Sequence, residues 1–439
     1  MTSLSRRDLL SAIGGGFFSS TVAQAQNPAD ITLRIQEITL DLGLRHSVRT
    51  IAYNGQVPGP LLRVAEGKPI TVEVINETND EEMVHWHGLM IPSDVDGSHD
   101  EGTPPVPRHA SRRYTFTPRP AGTRWYHSHV MSGRNLRSGT YTGQFGMMIV
   151  DAGNEPGRYD QEIPILLHEW EPSFTKDGPL DIEYKLGSIN GKILGAGEPI
   201  RVQPGQRVLF RMMNASATEL HQLALPGHRF QVIALDGNRV ARPQSIAALE
   251  IAPGERIDAI VEMNNPGVWI LGEVRDRQRN QGMGIMVEYA NQQGAGRWVA
   301  PTALPWHYTA FGGNDAAPEP DGRVPLVFKE AESGHHYTIN GKAFPHTAPI
   351  VVKADRRYRM IFDNQSADPH PVHLHRHRFE ITRFDKRPTS GVLKDVVVVP
   401  AWKQVEVDLI ADNPGPTLFH CHQQFHMDNG FMAMMEYEG

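Results

Sequence analysis

The chain has 439 residues, 39% hydrophobic and 21% charged, a balance typical of a globular protein and unlike that of a disordered or coiled-coil chain. Its formal net charge of −7 excludes the broad basic surface on which nucleic-acid binding by phosphate neutralisation depends. No stretch approaches the roughly 20 apolar residues of a membrane-spanning helix, and the single cysteine, Cys421, excludes an intramolecular disulfide.

The first 26 residues have the pattern of an export signal. Arg6 and Arg7 precede a short, glycine-rich apolar stretch, which ends at Ala23-Gln24-Ala25. A basic region, a short apolar region and an A-x-A site describe a secretory signal, and the paired arginines indicate the twin-arginine type. Residues 1–26 are therefore predicted to be a twin-arginine-type signal peptide, which implies export to the periplasm.

The remainder of the chain indicates strands joined by tight turns. Residues 70–75 and 405–410 alternate apolar and polar side chains with a period of two, which is the pattern of a half-buried strand. Asn54-Gly55 and Asp236-Gly237 are among the turn signals between such runs. Long amphipathic helical patterns are scarce, so the sequence predicts an all-β fold built from sandwiches or barrels.

Internal similarity divides the chain into three related units. Three segments of the middle third match three of the last third in order and spacing: 219–232 with 368–381, 264–274 with 412–422, and 282–289 with 430–437. A weaker copy lies at 120–129. We therefore predict three homologous β domains, at residues 27–152, 153–292 and 320–439, with a linker or surface crossover at 293–319.

Histidine is the most informative residue type. A random distribution of the 21 histidines would produce about one His-x-His sequence. The chain contains five, at residues 85/87, 127/129, 373/375, 375/377 and 420/422. On a strand, residues i and i+2 point to the same face, so each pair directs two imidazoles into one site.

The repeats show which domains keep these pairs. His420, Cys421 and His422 correspond to residues 127–129 in the first domain, where the histidines recur, and to Gly272, Glu273 and Val274 in the middle domain. The middle domain is therefore predicted to lack metal ligands. The candidate ligands contributed by the first and last domains are His85, His87, His127, His129, His373, His375, His420 and His422.

Cys421 lies between two of these histidines and points to the opposite face of the strand. With His370 and His426 it completes a His₂Cys set, the pattern of a blue copper site. Zinc and an inert buried cysteine are the alternatives. A structural zinc site closes with four ligands, whereas the natural fourth position here is Phe431, which cannot ligate. The sequence therefore favours trigonal copper.

At this point the chain resembles the three-domain bacterial multicopper oxidases, which are laccase-like members of the cupredoxin superfamily. The motifs are HWHG (85–88), HSH (127–129), HPVHLH (370–375) and HCHQQFH followed by MDNGF (420–431). The resemblance implies three consecutive cupredoxin-like Greek-key β-sandwich domains and four copper ions. It assigns His370, Cys421 and His426 to the type 1 copper, with Phe431 as the axial, non-ligating residue. It assigns His85 and His373 to the type 2 copper, and His87, His127, His129, His375, His420 and His422 to the two type 3 coppers.

The resemblance also implies an activity. A donor gives single electrons to the type 1 copper, through an exposed edge of His370, and the three-copper cluster reduces dioxygen to water. Asp96 falls where the family carries an acidic residue that supplies protons, although a turn aspartate before Gly97 is the alternative.

Three functions are considered. The first is oxidation of phenols and aromatic amines, with dioxygen and a small aromatic reductant as partners. The second is oxidation of a reduced metal ion, Cu(I) or Fe(II), in copper tolerance. The third is a non-enzymatic role in the cell envelope or in division, which the complete ligand set argues against.

Two positions depart from the bacterial pattern. Methionine is common at the axial position, where this chain has Phe431, although Met432 follows and a one-residue bulge would bring it to the copper. Met427 stands where several bacterial relatives have a glutamate linked to proton delivery, and Asp428 is the candidate substitute. With Phe431 as a non-ligating axial residue, the chain resembles the fungal laccases of this kind, and the resemblance predicts a raised reduction potential of the type 1 copper.

Overall fold

The computed structural model describes residues 28–153, 158–175, 181–301, 306–331 and 336–438. The predicted signal peptide at residues 1–26 lies outside these residues. Within the described part of the chain, no helix is long and apolar enough to cross a membrane.

The first third of the chain forms two four-stranded sheets, with strand orders β2-β1-β4-β6 and β3-β8-β7-β5. Helix α1 (Ser93–Asp96) and a 3₁₀ turn at Gly139–Tyr141 lie in its connections. The strands are β1 (Ile31–Gly43), β2 (His46–Tyr53), β3 (Leu62–Ala65), β4 (Ile70–Asn76), β5 (Val84–His85), β6 (Ser111–Phe116), β7 (Gly122–Ser128) and β8 (Phe145–Asp151).

The middle third forms a six-stranded and a five-stranded sheet, with orders β10-β9-β12-β17-β14-β15 and β11-β19-β18-β13-β16. Its short helix α2 covers Asp276–Asn280. The strands are β9 (Gln161–Phe174), β10 (Ile182–Ile189), β11 (Ile200–Val202), β12 (Arg207–Asn214), β13 (His221–Ala224), β14 (Phe230–Leu235), β15 (Asn238–Ile246), β16 (Ala248–Ile251), β17 (Arg256–Glu262), β18 (Val268–Glu273) and β19 (Gly284–Tyr289).

The last third repeats the middle third strand for strand, with orders β21-β20-β23-β28-β25-β26 and β22-β30-β29-β24-β27. A 3₁₀ turn (Tyr308–Phe311) precedes it, and helix α3 covers Gln424–Asp428. The strands are β20 (Gly322–Glu330), β21 (Tyr337–Ile339), β22 (Ile350–Val352), β23 (Arg357–Asn364), β24 (His370–Leu374), β25 (Phe379–Phe384), β26 (Arg387–Lys394), β27 (Val396–Val399), β28 (Gln404–Ile410), β29 (Thr417–Cys421) and β30 (Met432–Tyr437).

The all-β prediction is confirmed, and the period-two segments form strands as expected. Val405, Val407 and Leu409 of β28 are fully buried and form part of the largest hydrophobic cluster. The exact domain boundaries remain predictions. The segment predicted as a linker includes Tyr308 and Phe311, which are buried against the strands β15 and β26.

The middle domain approaches the first domain through a turn without side-chain bulk. Asp236 and Gly237 both have left-handed φ values, 45° and 68°, as a tight hairpin turn between β14 and β15 requires. The turn rests on the backbone at Gly122, where an added Cβ would lie 2.0 Å from the carbonyl oxygen of Gly237. Only glycine allows the two backbones to approach so closely.

We expect Gly122→Ala to destabilise the protein by about 1–3 kcal/mol more than Gly67→Ala, because the added methyl group collides with backbone that cannot move aside. Gly67 is the matched control, since it also has a left-handed φ, +73°, but has no atom within 4 Å of an added Cβ. Thermal unfolding measures both variants. Equal losses would show that the two domains separate easily at this contact.

Candidate metal centres

The thiol lies at the end of β29, buried against two imidazoles. Cys421 Sγ is 3.8 Å from Nδ1 of His370 and 3.6 Å from Nδ1 of His426. The two Nδ1 atoms are 3.1 Å apart. Because β24 and β29 pair antiparallel and α3 follows β29 after a tight bend, the three ligand atoms converge on one point that could hold a metal ion.

The protonation of this group prepares it for a cation. Burial lowers the pKa of His370 to about 3, and burial together with His370 lowers the pKa of His426 well below its usual value. Burial also raises the pKa of the Cys421 thiol well above its usual range. Both imidazoles are therefore neutral ligands, and a metal that binds the sulfur displaces its proton.

Surface access differs between the two imidazoles. His370 is 0% exposed, whereas His426 keeps 4% of its surface. β24 lies between β29 and β27 in its sheet, and the Nε2 of His370 is paired with Ser366 Oγ at 2.8 Å. The expectation that His370 offers an exposed edge is therefore wrong, and His426 is the imidazole nearer to solvent.

Phe431 closes the side of the thiol group that has no ligand atom. Its ring centre lies 4.8 Å from that of His370, and its carbonyl oxygen accepts a hydrogen bond from the Cys421 amide. Met432 pairs with His420 across the strands and packs with Leu418 on the other face of the sheet. No bulge turns the methionine toward Cys421.

The eight remaining candidate imidazoles meet in one buried cluster between the first and last domains. The rings interleave, since His85 stacks on His375 with ring centres 3.9 Å apart and His87 stacks on His373 with ring centres 3.8 Å apart. The cluster takes two histidines from each of four chain segments, at the ends of β5, β7, β24 and β29: His85, His87, His127, His129, His373, His375, His420 and His422.

Most of these imidazoles have one nitrogen bound to the protein and the other free. Nδ1 of His85, His127, His373 and His420 faces a backbone carbonyl oxygen at 2.7–3.0 Å. A carbonyl only accepts hydrogen bonds, so Nδ1 carries the proton and Nε2 keeps its lone pair. Among the described residues, seven buried cluster nitrogens lack a hydrogen-bond partner: Nε2 of His85, His127, His129 and His373, Nδ1 of His87, and both nitrogens of His422.

Two of the lone pairs point at each other. Nε2 of His375 and Nε2 of His420 are 3.1 Å apart, while the Nδ1 protons of these rings are directed to Asp96 and to the Cys421 carbonyl. With both Nδ1 atoms directed to acceptors, the two Nε2 atoms are placed where one metal ion could bind both, together with His129.

Six of the eight imidazoles are neutral when the cluster is empty. Burial, strengthened by the neighbouring imidazoles, lowers the pKa of five members well below the usual value: His87, His127, His129, His373 and His420. Burial also lowers the pKa of His422 to about 3. Protons therefore do not compete with a metal near neutral pH.

Two carboxyl groups adjoin the cluster from the first domain. Asp96 Oδ2 is 2.9 Å from Nδ1 of His375 and 3.1 Å from Nδ1 of His85. Burial alone would raise the pKa of Asp96, but His85 and His375 outweigh it and lower the pKa below its usual value. Glu101 Oε2 lies 3.2 Å from the same His375 nitrogen, and burial with the charge of Asp96 raises the pKa of Glu101 well above its usual value.

Sequence reasoning found Asp96 but missed Glu101 and Asp395. Glu101 Oε1 also accepts a hydrogen bond from the amide of Leu418 in β29. Asp395 Oδ1 lies 3.1 Å from Nε2 of His87. Both carboxylates contact residues more than 270 positions away in the chain, so no local pattern indicates them.

Asp428, the candidate substitute for the missing glutamate, faces a loop of the first domain. Its Oδ2 accepts hydrogen bonds from the amides of Ser132, at 3.0 Å, and Gly133, at 2.8 Å. Its Oδ1 accepts one from Gln424. Burial raises the pKa of Asp428 to about 7. Its hydrogen bonds join the two domains beside the thiol group.

The middle domain fills the equivalent of the thiol site with an ion pair. His221, at the repeat position of His370, lies between Glu273, at the position of Cys421, and Glu169 of β9. Burial alone would lower the pKa of His221, but Glu169 and Glu273 raise it to about 10. Each nitrogen of this imidazolium has a carboxylate partner.

Comparison with known proteins gives a consistent result. Models described as multicopper oxidase match residues 34–155, 162–291 and 317–438. The chain is 30% identical to multicopper oxidase MmcO of Mycobacterium tuberculosis, over 92% of this chain and 86% of that protein. It is 26% identical to Laccase-1 of Trametes villosa, over 92% and 89%. Its fold is similar to that of Fet3p, a multicopper oxidase that functions in iron import, with a TM-score of 0.80, 19% identity and coverage of 93% of this chain and 90% of that one.

We expect metal affinity at the thiol group and at the imidazole cluster to depend differently on pH. Metal affinity at the thiol group should rise about tenfold per pH unit between about pH 6 and 8, because binding releases the Cys421 proton. Affinity at the imidazole cluster should change much less over this range, because six of its eight rings have pKa values below their usual range and have no proton to release. Titration with cobalt(II), which reports a bound thiolate by charge-transfer absorption, measures the slope. Cys421→Ser is the control and should remove the absorption. A flat response in the unsubstituted protein would contradict the protonated thiol.

Proposed function

The chain belongs to the multicopper oxidase family, copper-dependent oxidoreductases that use dioxygen and a reducing substrate, and we propose that it is a laccase-like oxidase of phenols and aromatic amines. The observation that carries the proposal is the sequence His420-Cys421-His422 at the end of β29. It joins the thiol group to two imidazoles of the cluster through a few covalent bonds. A site that accepts electrons is thus linked directly to a site that can hold several metal ions.

The residues present fit copper. The thiol group offers one soft sulfur and two imidazoles, and the fourth side is closed by a phenyl ring, which suits trigonal copper and not a four-coordinate structural zinc. The cluster offers eight imidazoles, and seven of their buried nitrogens are without partners in the described residues. Imidazole is a ligand that copper prefers.

We assign the ligands by the family motifs. His370, Cys421 and His426 would hold the type 1 copper, with Phe431 axial and non-ligating. His85 and His373 would hold the type 2 copper. The remaining six, His87, His127, His129, His375, His420 and His422, would hold the two type 3 coppers, for four ions in all.

Bound copper supplies one-electron transfer from the donor and four-electron reduction of dioxygen to water. The residues of the chain orient and shield these sites. The backbone carbonyl oxygens fix the imidazole tautomers, and Phe431 keeps a ligating atom away from the fourth side of the thiol group. Asp96, which contacts His85 and His375, is the residue we propose for proton supply to the cluster. Its lowered pKa makes it the proton acceptor in such a transfer, and Glu101, beside the same His375 nitrogen, has the raised pKa of a group that holds a proton.

A second candidate donor is a reduced metal ion, Cu(I) or Fe(II). Carboxylates near His426, the imidazole nearer to solvent, favour it, since Asp368 hydrogen-bonds Tyr337, whose ring packs on His426, and the charge of Asp181 acts on Asp368. Against it, the 16 methionines are dispersed and form no methionine-rich insert. The aromatic donor therefore remains the leading proposal.

We propose export to the periplasm by the twin-arginine route, on the strength of the Arg6-Arg7 signal pattern. Release of the signal, followed by N-terminal sequencing of the exported protein, tests this location.

Oxygen uptake by the copper-loaded protein tests the function. We expect 2,6-dimethoxyphenol to be oxidised with four electrons per dioxygen and without release of peroxide, and Cys421→Ser to abolish turnover. Asp368→Asn should slow oxidation of Cu(I) or Fe(II) by about tenfold and leave the phenol little changed, since lost negative charge weakens the attraction of cations alone. Negligible phenol oxidation beside rapid Cu(I) oxidation would remove the leading proposal.

Phe431→Met should lower the reduction potential of the type 1 copper, because a thioether in place of the phenyl ring donates to the metal and stabilises its oxidised form. Met432→Leu is the matched control, and we expect no change in the potential, since this side chain packs on the other face of the sheet. Redox titration of the blue absorption measures both variants. A shift in Met432→Leu alone would mean that the methionine reaches the copper.

A further inference from the structure

The middle domain has no place in the proposed ligand set, yet one of its arginines comes close to the cluster. Arg256, the first residue of β17, is fully buried. Its Nη1 and Nη2 donate hydrogen bonds to Oδ1 and Oδ2 of Asp395 in the last domain, each at 2.6 Å. This paired contact fixes the position and the plane of the carboxylate.

Asp395 in turn holds two cluster imidazoles. Its Oδ1 lies 3.1 Å from Nε2 of His87 in the first domain, and its carbonyl oxygen lies 2.7 Å from Nδ1 of His373. Arg256, Asp395 and His87 therefore form one chain of contacts through all three domains.

The contact with Asp395 decides which nitrogen of His87 faces the cluster. A carboxylate held by an arginine accepts a hydrogen bond, so Nε2 of His87 carries the proton and Nδ1 keeps the lone pair. Nδ1 of His87 is buried without a partner in the described residues. His85, His127 and His373 are oriented in the opposite sense, with Nε2 free. A charged side chain thus fixes the orientation of the His87 ring, whereas backbone carbonyls fix the rings of its neighbours.

The surroundings leave space for this contact. Gly88 follows His87, and a Cβ there would lie 2.6 Å from Arg256 Nη2 and 2.8 Å from Asp395 Oδ2.

Other residues also contact Asp395. Arg124 of the first domain adds a weaker contact to Asp395 Oδ2 at 3.5 Å. Asp236 accepts hydrogen bonds from the amides of Asp395 and Val396 and so holds the start of β27. Burial raises the pKa of the Asp395 carboxyl, and the charge of Arg256 opposes that effect.

We propose that Arg256 is a positioning residue for the copper cluster, which acts through Asp395 to hold His87 with Nδ1 toward the metal. The middle domain thereby sets the copper occupancy of a cluster to which it gives no ligand. This inference rests on the proposed function, in which His87 is a type 3 ligand.

Arg256→Gln tests the proposal. The variant removes the charge and the paired contact, so we expect copper affinity at the type 3 pair to fall about 10- to 100-fold. The expected signs are a lower copper content after dialysis against a chelator and loss of the near-ultraviolet absorption of the coupled pair. The blue absorption of the type 1 copper should remain, because Arg256 does not contact the thiol group.

Arg211→Gln is the matched control. Arg211 is also a buried middle-domain arginine, and it binds Asp258 at 3.0 Å, Thr123 of the first domain at 3.0 Å and Glu162, none of which is a candidate copper ligand. We expect it to lower the melting temperature without changing the copper content or the coupled-pair absorption. A purely structural role for Arg256 would make the two variants alike.

Arg256→Lys keeps the charge but offers no paired contact, so we expect an intermediate copper content. Loss of the blue absorption of the type 1 copper would show that Arg256→Gln does not fold. In that case the copper content of Arg256→Lys tests the proposal instead. Unchanged type 3 absorption in a folded Arg256→Gln, or in Arg256→Lys if only that variant folds, would overturn the inference. Absence of the coupled-pair absorption from the unsubstituted copper-loaded protein would instead overturn the proposed function.

Discussion

Imidazoles that face one another in a buried cluster are the constraint on which the rest of this molecule depends. His375 and His420 approach through unprotonated nitrogens 3.1 Å apart, and seven other cluster nitrogens are buried without partners in the described residues. A metal ion bound by these nitrogens supplies the partner that the protein does not, so metal binding and stability are coupled.

Because side chains alternate between the two faces of a strand, β29 connects the thiol group with the imidazole cluster. On β29, Cys421 points to one face of the sheet, whereas His420 and Leu418 point to the other. The thiol group therefore lies inside the last domain, and the imidazoles face the boundary with the first domain. The same alternation places Phe431 beside Cys421 and Met432 on the far face. One residue of register thus determines whether a thioether or a phenyl ring adjoins the sulfur.

The elements that the sequence predicts well are those governed by local periodicity. The His-x-His pairs at 127/129 and 420/422 follow from strand geometry alone, and the repeats indicate where in each domain they lie. Exposure does not follow from such patterns: the ring of His370 is buried because Phe431 and Tyr337, distant in the chain, pack on it. Glu101 and Asp395 could not be found in advance either, because their imidazole partners lie in other domains.

The middle domain shows what separates a metal site from a structural one in the same fold. It repeats the strand order of the last domain, and His221 occupies the position of His370. There, however, Glu169 and Glu273 each accept from one nitrogen of the ring, so the imidazole is protonated and every polar atom of it is satisfied. Carboxylates thus supply an internal counter-charge where the last domain requires a metal: Glu273 replaces the thiol, and Glu169 takes the second nitrogen, which in His370 faces Ser366. The difference lies in whether a proton acceptor faces each nitrogen, and not in the presence of histidine itself.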